Sequence, residues 1–423
     1  TVTADIDTSG TTTSPATVNA VAGSQLSLAS NVSTATATGN TADNTLTAIS
    51  TQITAGTASD ANANSGTPLA DAGFSLLNQQ FVSNVAGINL TSTNTANTVS
   101  ALLTAEDTAV ATSTVTLTGN SFSAVTYAND AENTMMLGAA GTTANLSSTG
   151  AVASEQETNT AVALATAGGT VTVDIDSTDI AATAMTGSTL SVSGNSSLAS
   201  TTLNNALNSL TAISTNITAG AADTDAQISG TDIDGAYAIS NIQTTIAGSA
   251  TATNTANNFT IDVDSADIGV GTSTISLSSN TVNAQATGNI AVNNSIGLGG
   301  SGTALLTATG GIASSQTNGA TVAANADSTV TVNVDSSDTT VNAVSGSTVN
   351  LQNNATRALA RGNVALNAMT VTSAAATGGD ADGAGLSSGG ALTATYGILN
   401  GQTNSAGVTA TIAGTTYSVA LNG

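Results

Sequence analysis

The chain has 423 residues, a net charge of −24 and two cationic side chains, Arg357 and Arg361; lysine, histidine and cysteine are absent. This composition excludes disulfides and thiolate metal sites, removes the usual general base and amine nucleophile, and leaves little to neutralise a phosphate backbone or an anionic membrane. Charged residues are 7% and aromatics 2% of the chain, with a mean hydropathy of +0.19, so neither ordinary disorder nor an aromatic-rich globular core is expected.

The apolar content is mostly Ala, Val, Leu and Ile, small and β-branched side chains that suit thin stacked β layers. No apolar run approaches the ~20 residues of a membrane helix, so membrane insertion is not expected. The chain opens at Thr1 without a leader, which reads as a processed, exported protein.

The opening segment, Thr-Val-Thr-Ala-Asp-Ile-Asp (1–7), alternates β-branched and polar residues, a strand signal. It returns at 170–176, 259–264 and 329–335. A second pattern follows it: Ser24/Asn31/Ala35/Asn40/Ala42/Asn44. The same types, at the same spacing, recur at Ser113/Asn120/Ala124/Asn129/Ala131/Asn133 and Ser188/Asn195/Ala199/Asn204/Ala206/Asn208. The last two copies are Ser273/Asn280/Ala284/Asn289/Ala291/Asn293 and Ser347/Asn354/Ala358/Asn363/Ala365/Asn367. A third pattern ends in glutamine: Leu76/Asn78/Gln80, Val152/Ser154/Gln156, Ile239/Asn241/Gln243, Ile312/Ser314/Gln316 and Ile398/Asn400/Gln402.

Five diverged repeats result: 1–102 (long), 103–169 (short), 170–257 (long), 258–328 (short) and 329–423 (long), forming one continuous solenoid. The distance from the first Asn to the Gln alternates as 49, 36, 48, 36 and 48 residues (31 to 80, 120 to 156, 195 to 243, 280 to 316, 354 to 402). Insertions confined to one place in alternate copies map to loops on one side of a solenoid. The expected fold is all-β, an elongated β-solenoid or β-helix. Apolar parity flips at Gly39-Asn40, as a corner between strands would require. Taken as a complete set of corners, each copy would supply three to four windings, and the array would be on the order of 70–95 Å long. A helix over Leu198–Leu210 is the competing reading, disfavoured by its many Ser, Thr and Asn residues.

The recurring asparagines read as structural. Asn bonds its own turn and tolerates left-handed backbone, and identical Asn side chains stack into hydrogen-bond ladders. Acidic clusters are the remaining candidate chemistry. Asp174/Asp176/Asp179 and Asp262/Asp264/Asp267 share the spacing Asp-x-Asp-x-x-Asp, and calcium is the ion that oxygen-rich turns would hold. The alternative is a set of solvated strand ends that keep a sticky stack soluble. No catalytic residue and no other cofactor is identified. Carboxylate pairs suit a glycosidase, but an acidic polysaccharide needs cations beside it, and only Arg357 and Arg361 exist.

Gly39-Asn40-x-Ala42, Gly288-Asn289-x-Ala291 and Gly362-Asn363-x-Ala365, with Gln316-x-Asn318 and Gln402-x-Asn404, resemble the signature of curlin-type repeats. The likeness covers about a third of each copy; the unit here is far longer and begins on Asn instead of Gln. The resemblance implies a secreted bacterial protein at the cell surface whose β-solenoid units stack into fibres. The tail 415–421 follows Gln402 as 329–335 follows Gln316, so the end windings of successive subunits are expected to pair head to tail. The resulting expectation is a non-enzymatic structural subunit of an extracellular filament or biofilm-matrix fibre whose partner is itself. The alternative is a surface-anchored adhesin stalk whose inserted loops contact a surface or glycan. Nucleic acid is not an expected partner.

Overall fold

Alternating side chains and small residues make each segment a strand, and the repeat decides what it pairs with. In chain order the first winding contains β1 (Val2–Asp7), β2 (Val21–Ala22), β3 (Gln25–Ala29), β4 (Val32–Ser50), β5 (Gln52–Thr54), β6 (Ser59–Asn62), β7 (Leu69–Ala72) and β8 (Phe74–Ser83). β9 (Asn89–Ala105) then closes the first winding and opens the second. The computed structural model describes residues 1–423 apart from 9–18, 55–58, 63–68, 84–88, 180–181, 219–224, 229–230, 300–301, 339, 377–383, 386–390, 393–394 and 423.

Outside the inserts of the long copies, each strand lies parallel to its counterpart in the next copy, repeat position on repeat position. Ala35, Ala124, Ala199, Ala284 and Ala358 form one column, and Asn40, Asn129, Asn204, Asn289 and Asn363 another. β2, β3, β4, β5 and β8 each head a five-stranded parallel stack, and β1 and β9 belong to a nine-stranded one. The molecule is an all-β solenoid, without helix among the described residues. The stretch over Leu198–Leu210 lies within a strand, Ser196–Ile213.

The number of windings differs from the expectation. One copy makes one winding, so five copies rise about 24 Å at ~4.8 Å per layer, not 70–95 Å. The parity flips are real corners, but they bend a single wide turn instead of completing several narrow ones. At the Gly39-Asn40 position of the second copy, Ala128 and Asn129 are consecutive and both fully buried, and the strand continues through them. A neighbouring corner uses left-handed backbone: Ser30, Gly119, Gly194, Ser279 and Asn353 all have φ between 55° and 65°.

The interior is fine-grained. Among the described residues, the main apolar cluster is built from Ala, Val, Leu and Ile with Met185, and its aromatic members are Phe122 and Phe259. Elsewhere the buried phenol of Tyr237 donates to the Ser148 carbonyl at 3.0 Å. The recurring Ala positions are filled to contact: Ala124, Ala199 and Ala284 are at most 1% exposed. A larger side chain there would force layers apart, a cost of about 1–3 kcal/mol in a close-packed core.

The described segments of the long copies' inserts are strands that pair with one another. β6 and β7 pair antiparallel, β7 pairs with Asp225–Ile228, and Thr231–Asp234 pairs with Ala384–Gly385. Hairpins from windings 1, 3 and 5 thus join into one six-stranded antiparallel sheet. This accounts for the long–short alternation. A hairpin is two strand spacings thick, so it fills the depth of two windings.

Candidate functional site

Four columns of side-chain amides run through the interior. In the first, Asn31 Nδ2 donates to Asn120 Oδ1 at 2.8 Å, Asn120 to Asn195 at 2.8 Å, Asn195 to Asn280 at 2.9 Å and Asn280 to Asn354 at 3.0 Å. The second joins Asn40, Asn129, Asn204, Asn289 and Asn363 by bonds of 2.7–2.8 Å. Its spare N–H groups cross to main-chain oxygens of Phe81, Glu157, Thr244, Thr317 and Thr403, tying two walls of each winding together.

The third column joins Asn44, Asn133, Asn208, Asn294 and Asn367 at 2.8–2.9 Å. Its fourth rung corrects the spacing argument, which named Asn293. The pairing shifts by one residue between Ala291 and Asn294, a bulge that brings Asn294 into line. Glutamines make the fourth column: Gln402 donates to Gln316, Gln316 to Gln243, Gln243 to Gln156 and Gln156 to Gln80, at 2.6–2.8 Å.

The serines of the repeat have a comparable task. The amide N–H of Ser24 donates to Ser113 Oγ at 3.1 Å, Ser113 to Ser188 at 3.0 Å and Ser188 to Ser273 at 3.0 Å. The Asn, Gln and Ser columns therefore satisfy one another in the interior, where an unpaired amide would cost about 1–3 kcal/mol; Asn78 and Asn241, beside the third column, each keep a buried Nδ2 without a partner.

These ladders have a direction. All three Asn columns donate toward the later winding, and the Gln column donates toward the earlier one. Among the described residues, the first end of the solenoid thus presents the oxygens of Asn31, Asn40 and Asn44 beside a Gln80 N–H. The last end presents N–H groups of Asn354, Asn363 and Asn367 beside the Gln402 oxygen.

The apolar interior is also open at the last end. Ile398, Val408, Ile412, Tyr417, Val419 and Leu421 are 39–52% exposed, whereas the residues stacked directly beneath them are 0–2% exposed. At the first end a cleft is lined by Thr1, Val2, Asn31, Val32, Ser33, Asn97, Thr98, Val99 and Phe122, without an ionisable side chain.

The acidic motifs stack on the outer face of the nine-stranded sheet. Register places Asp174 on Asp262 and Asp176 on Asp264, with Asp335 beyond Asp264. Carboxylate oxygens of Asp174, Asp262 and Asp264 lie within 4.8 Å of one another, all three half-buried. Asp176, Asp179 and Asp267 stand outside that group. Three carboxylates could contribute to a cation site but fall short of the six to eight oxygens that calcium takes. The next rung of the Asp262 column is Asn333, whose Nδ2 donates to Asp262 at 2.9 Å. Arg357 and Arg361 are exposed on the outer face of the fifth winding's long strand.

The stacked carboxylates strain the ionised state. Asp264 is pushed up from 3.8 to about 6, first by burial and then by the charges of Asp262, Asp174, Asp335 and Asp176. Burial also raises Asp174, Asp176 and Glu155. A carboxyl whose folded pKa is raised binds more protons in the native than in the unfolded state. Stability is therefore expected to increase as pH falls from about 7 toward 4, with the Asp264 part gained between about 6 and 3.8. Thermal unfolding at pH 7.5 and pH 5 checks this. Asp264→Asn should raise the melting temperature at pH 7.5 and flatten the profile. An unaltered profile in the variant would contradict the assignment.

No family model, curated protein or solved structure matches the chain. The ladders, the open ends and the aspartate columns are therefore the basis for any functional reading.

Proposed function

We propose that this protein is a structural subunit of an extracellular bacterial filament or biofilm-matrix fibre, curlin-like in kind, whose copies join head to tail. The observation that carries this reading is the matched polarity of the end faces. Placed last end on first end, the Asn N–H groups meet Asn oxygens, and the Gln oxygen meets a Gln N–H. Placed last on last, donors would face donors. Head-to-tail contacts propagate into filaments instead of closing as a dimer. The half-exposed apolar side chains at the last end supply the driving force, about 25 cal/mol per Å² of apolar surface covered.

Load would pass along the axis through main-chain bonds reinforced by the amide ladders. Nothing in this role requires a reacting group, in keeping with a chain that lacks histidine, cysteine and lysine.

Electron microscopy of the purified chain tests the proposal. Unbranched filaments with a subunit repeat of about 24 Å are expected. Dispersed particles under every solution condition tried would overturn it. The adhesin-stalk reading draws on a different observation, the antiparallel sheet that gathers the inserts of windings 1, 3 and 5 on one side. Binding to a surface or glycan that is lost on removing those inserts, with no filament formed, would favour it.

A further inference from the structure

Among the described residues, two faces of the solenoid hold one strand more than the others. We infer that joining between copies is held back by β1 and by the β6–β7 hairpin, and proceeds only when both give up their places. This rests on the head-to-tail reading above and adds a built-in restraint to it.

The first conflict concerns the opening strand. The column headed by Val2 continues through Val99, Val171, Phe259 and Val330 to Tyr417, and is six strands deep. The column headed by β4 is five deep. An incoming copy would lay its β4 on the fifth winding, and its β1 would be due at that same sixth level. The strand Thr416–Asn422 already occupies the position. Its inward residues Tyr417, Val419 and Leu421 are 44–50% exposed and stand where Val2, Ala4 and Ile6 stand in β1. The tail strand can therefore take over β1's packing in the next copy, a strand replacement.

The second conflict concerns the inserts. Three hairpins make six strands, about 29 Å of sheet at ~4.8 Å each, against about 24 Å for five windings. Within the chain a short winding always separates two long ones, so the hairpins fit. A junction between copies puts the long fifth winding against the long first winding. The incoming β6 then falls on the level of Ala391–Leu392, the outermost strand of the sheet.

A covalent tandem tests the restraint directly. Residue 423 of one full copy is fused to residue 8 of a second, so that the first copy's tail replaces the second copy's β1. In a matched tandem, residues 55–73 of the second copy are also replaced by Ser-Thr, the pair that links the same strands in the second winding at 148–149. The matched tandem is expected to unfold in one transition, at higher temperature, and to scatter X-rays as a single rod of doubled length. The unmatched tandem should show two transitions and a hinged particle. Identical behaviour of the two tandems would overturn the inference.

The same replacement combined with removal of 1–7 in the single chain should raise the polymer pelleted on centrifugation several-fold, with circular dichroism confirming that the variant is folded. A drop in pelleted polymer from a folded variant would also overturn it. The tandem reports on the junction even if the single chain never polymerises, an outcome that would count against the assembly reading alone.

Discussion

Asn204→Asp is expected to destabilise the protein by about 3–5 kcal/mol at pH 7, the usual cost of an uncompensated buried charge. The substitution hardly changes size, so packing is not the cause. Asn204 is fully buried. Its Oδ1 accepts from Asn129 Nδ2 and Thr158 Oγ1, both at 2.8 Å, and a carboxylate keeps those bonds. Its Nδ2 donates to Asn289 Oδ1 at 2.8 Å and to the Thr244 carbonyl at 3.1 Å. Both become oxygen facing oxygen in the variant. Lowering the pH should return part of the loss, because burial raises the new carboxyl's pKa and the protonated acid donates one hydrogen. Urea denaturation of parent and variant at pH 7 and pH 4.5 is the measurement. An unchanged midpoint at pH 7 would mean that the ladder bears no load.

Gly288→Ala is expected to cost about 1–3 kcal/mol through overpacking, and Asn318→Thr in the same molecule is expected to recover part of it. A Cβ at 288 would lie 2.5 Å from the Gly362 carbonyl oxygen and 2.6 Å from Asn318 Oδ1. Yet the same column position holds buried Ala128 and Leu203 in the second and third windings. The difference stands opposite. Where residue 128 or 203 carries a side chain, the facing column has Thr158 or Thr245; where 288 is glycine, it has Asn318. The carboxamide of Asn318 uses the volume that glycine leaves, and its Nδ2 donates to Asn404 Oδ1. The Gly362 backbone oxygen accounts for the part the second substitution does not restore. Additive effects of the two changes on the unfolding free energy would refute this pairing.

That exchange explains why Gly-Asn-x-Ala and Gln-x-Asn occur together in the fourth and fifth copies. The sequence displays the correlation as two separate motifs. Only the folded winding brings residues 28 to 40 positions apart face to face, as in Asn289 Nδ2 bonding the Thr317 carbonyl and Asn204 that of Thr244. The aspartate motifs show the same limit. Their spacing marks six equivalent carboxylates, but only Asp174, Asp262 and Asp264 converge. Register sets which rung meets another acid, and Asn333 ends one column where Asp335 extends the next.

The sequence alone determined that the protein is an all-β array of five related units whose identical residues stack. Six positions keep one residue type through every copy, and layered β structure puts like over like. The parity flip at Gly39-Asn40 also marked a bend within the winding, because such a flip changes which side chains face inward. Tertiary structure decided how much chain one winding uses, since a corner inside a wide turn and a corner closing a narrow one have the same local pattern. It decided that Asn294 is the rung of its ladder, because a one-residue bulge is absorbed only when neighbouring strands are paired. It also decided that the inserts form a single sheet, because the match between a two-strand hairpin and two windings is a matter of thickness, which no local run of residues encodes.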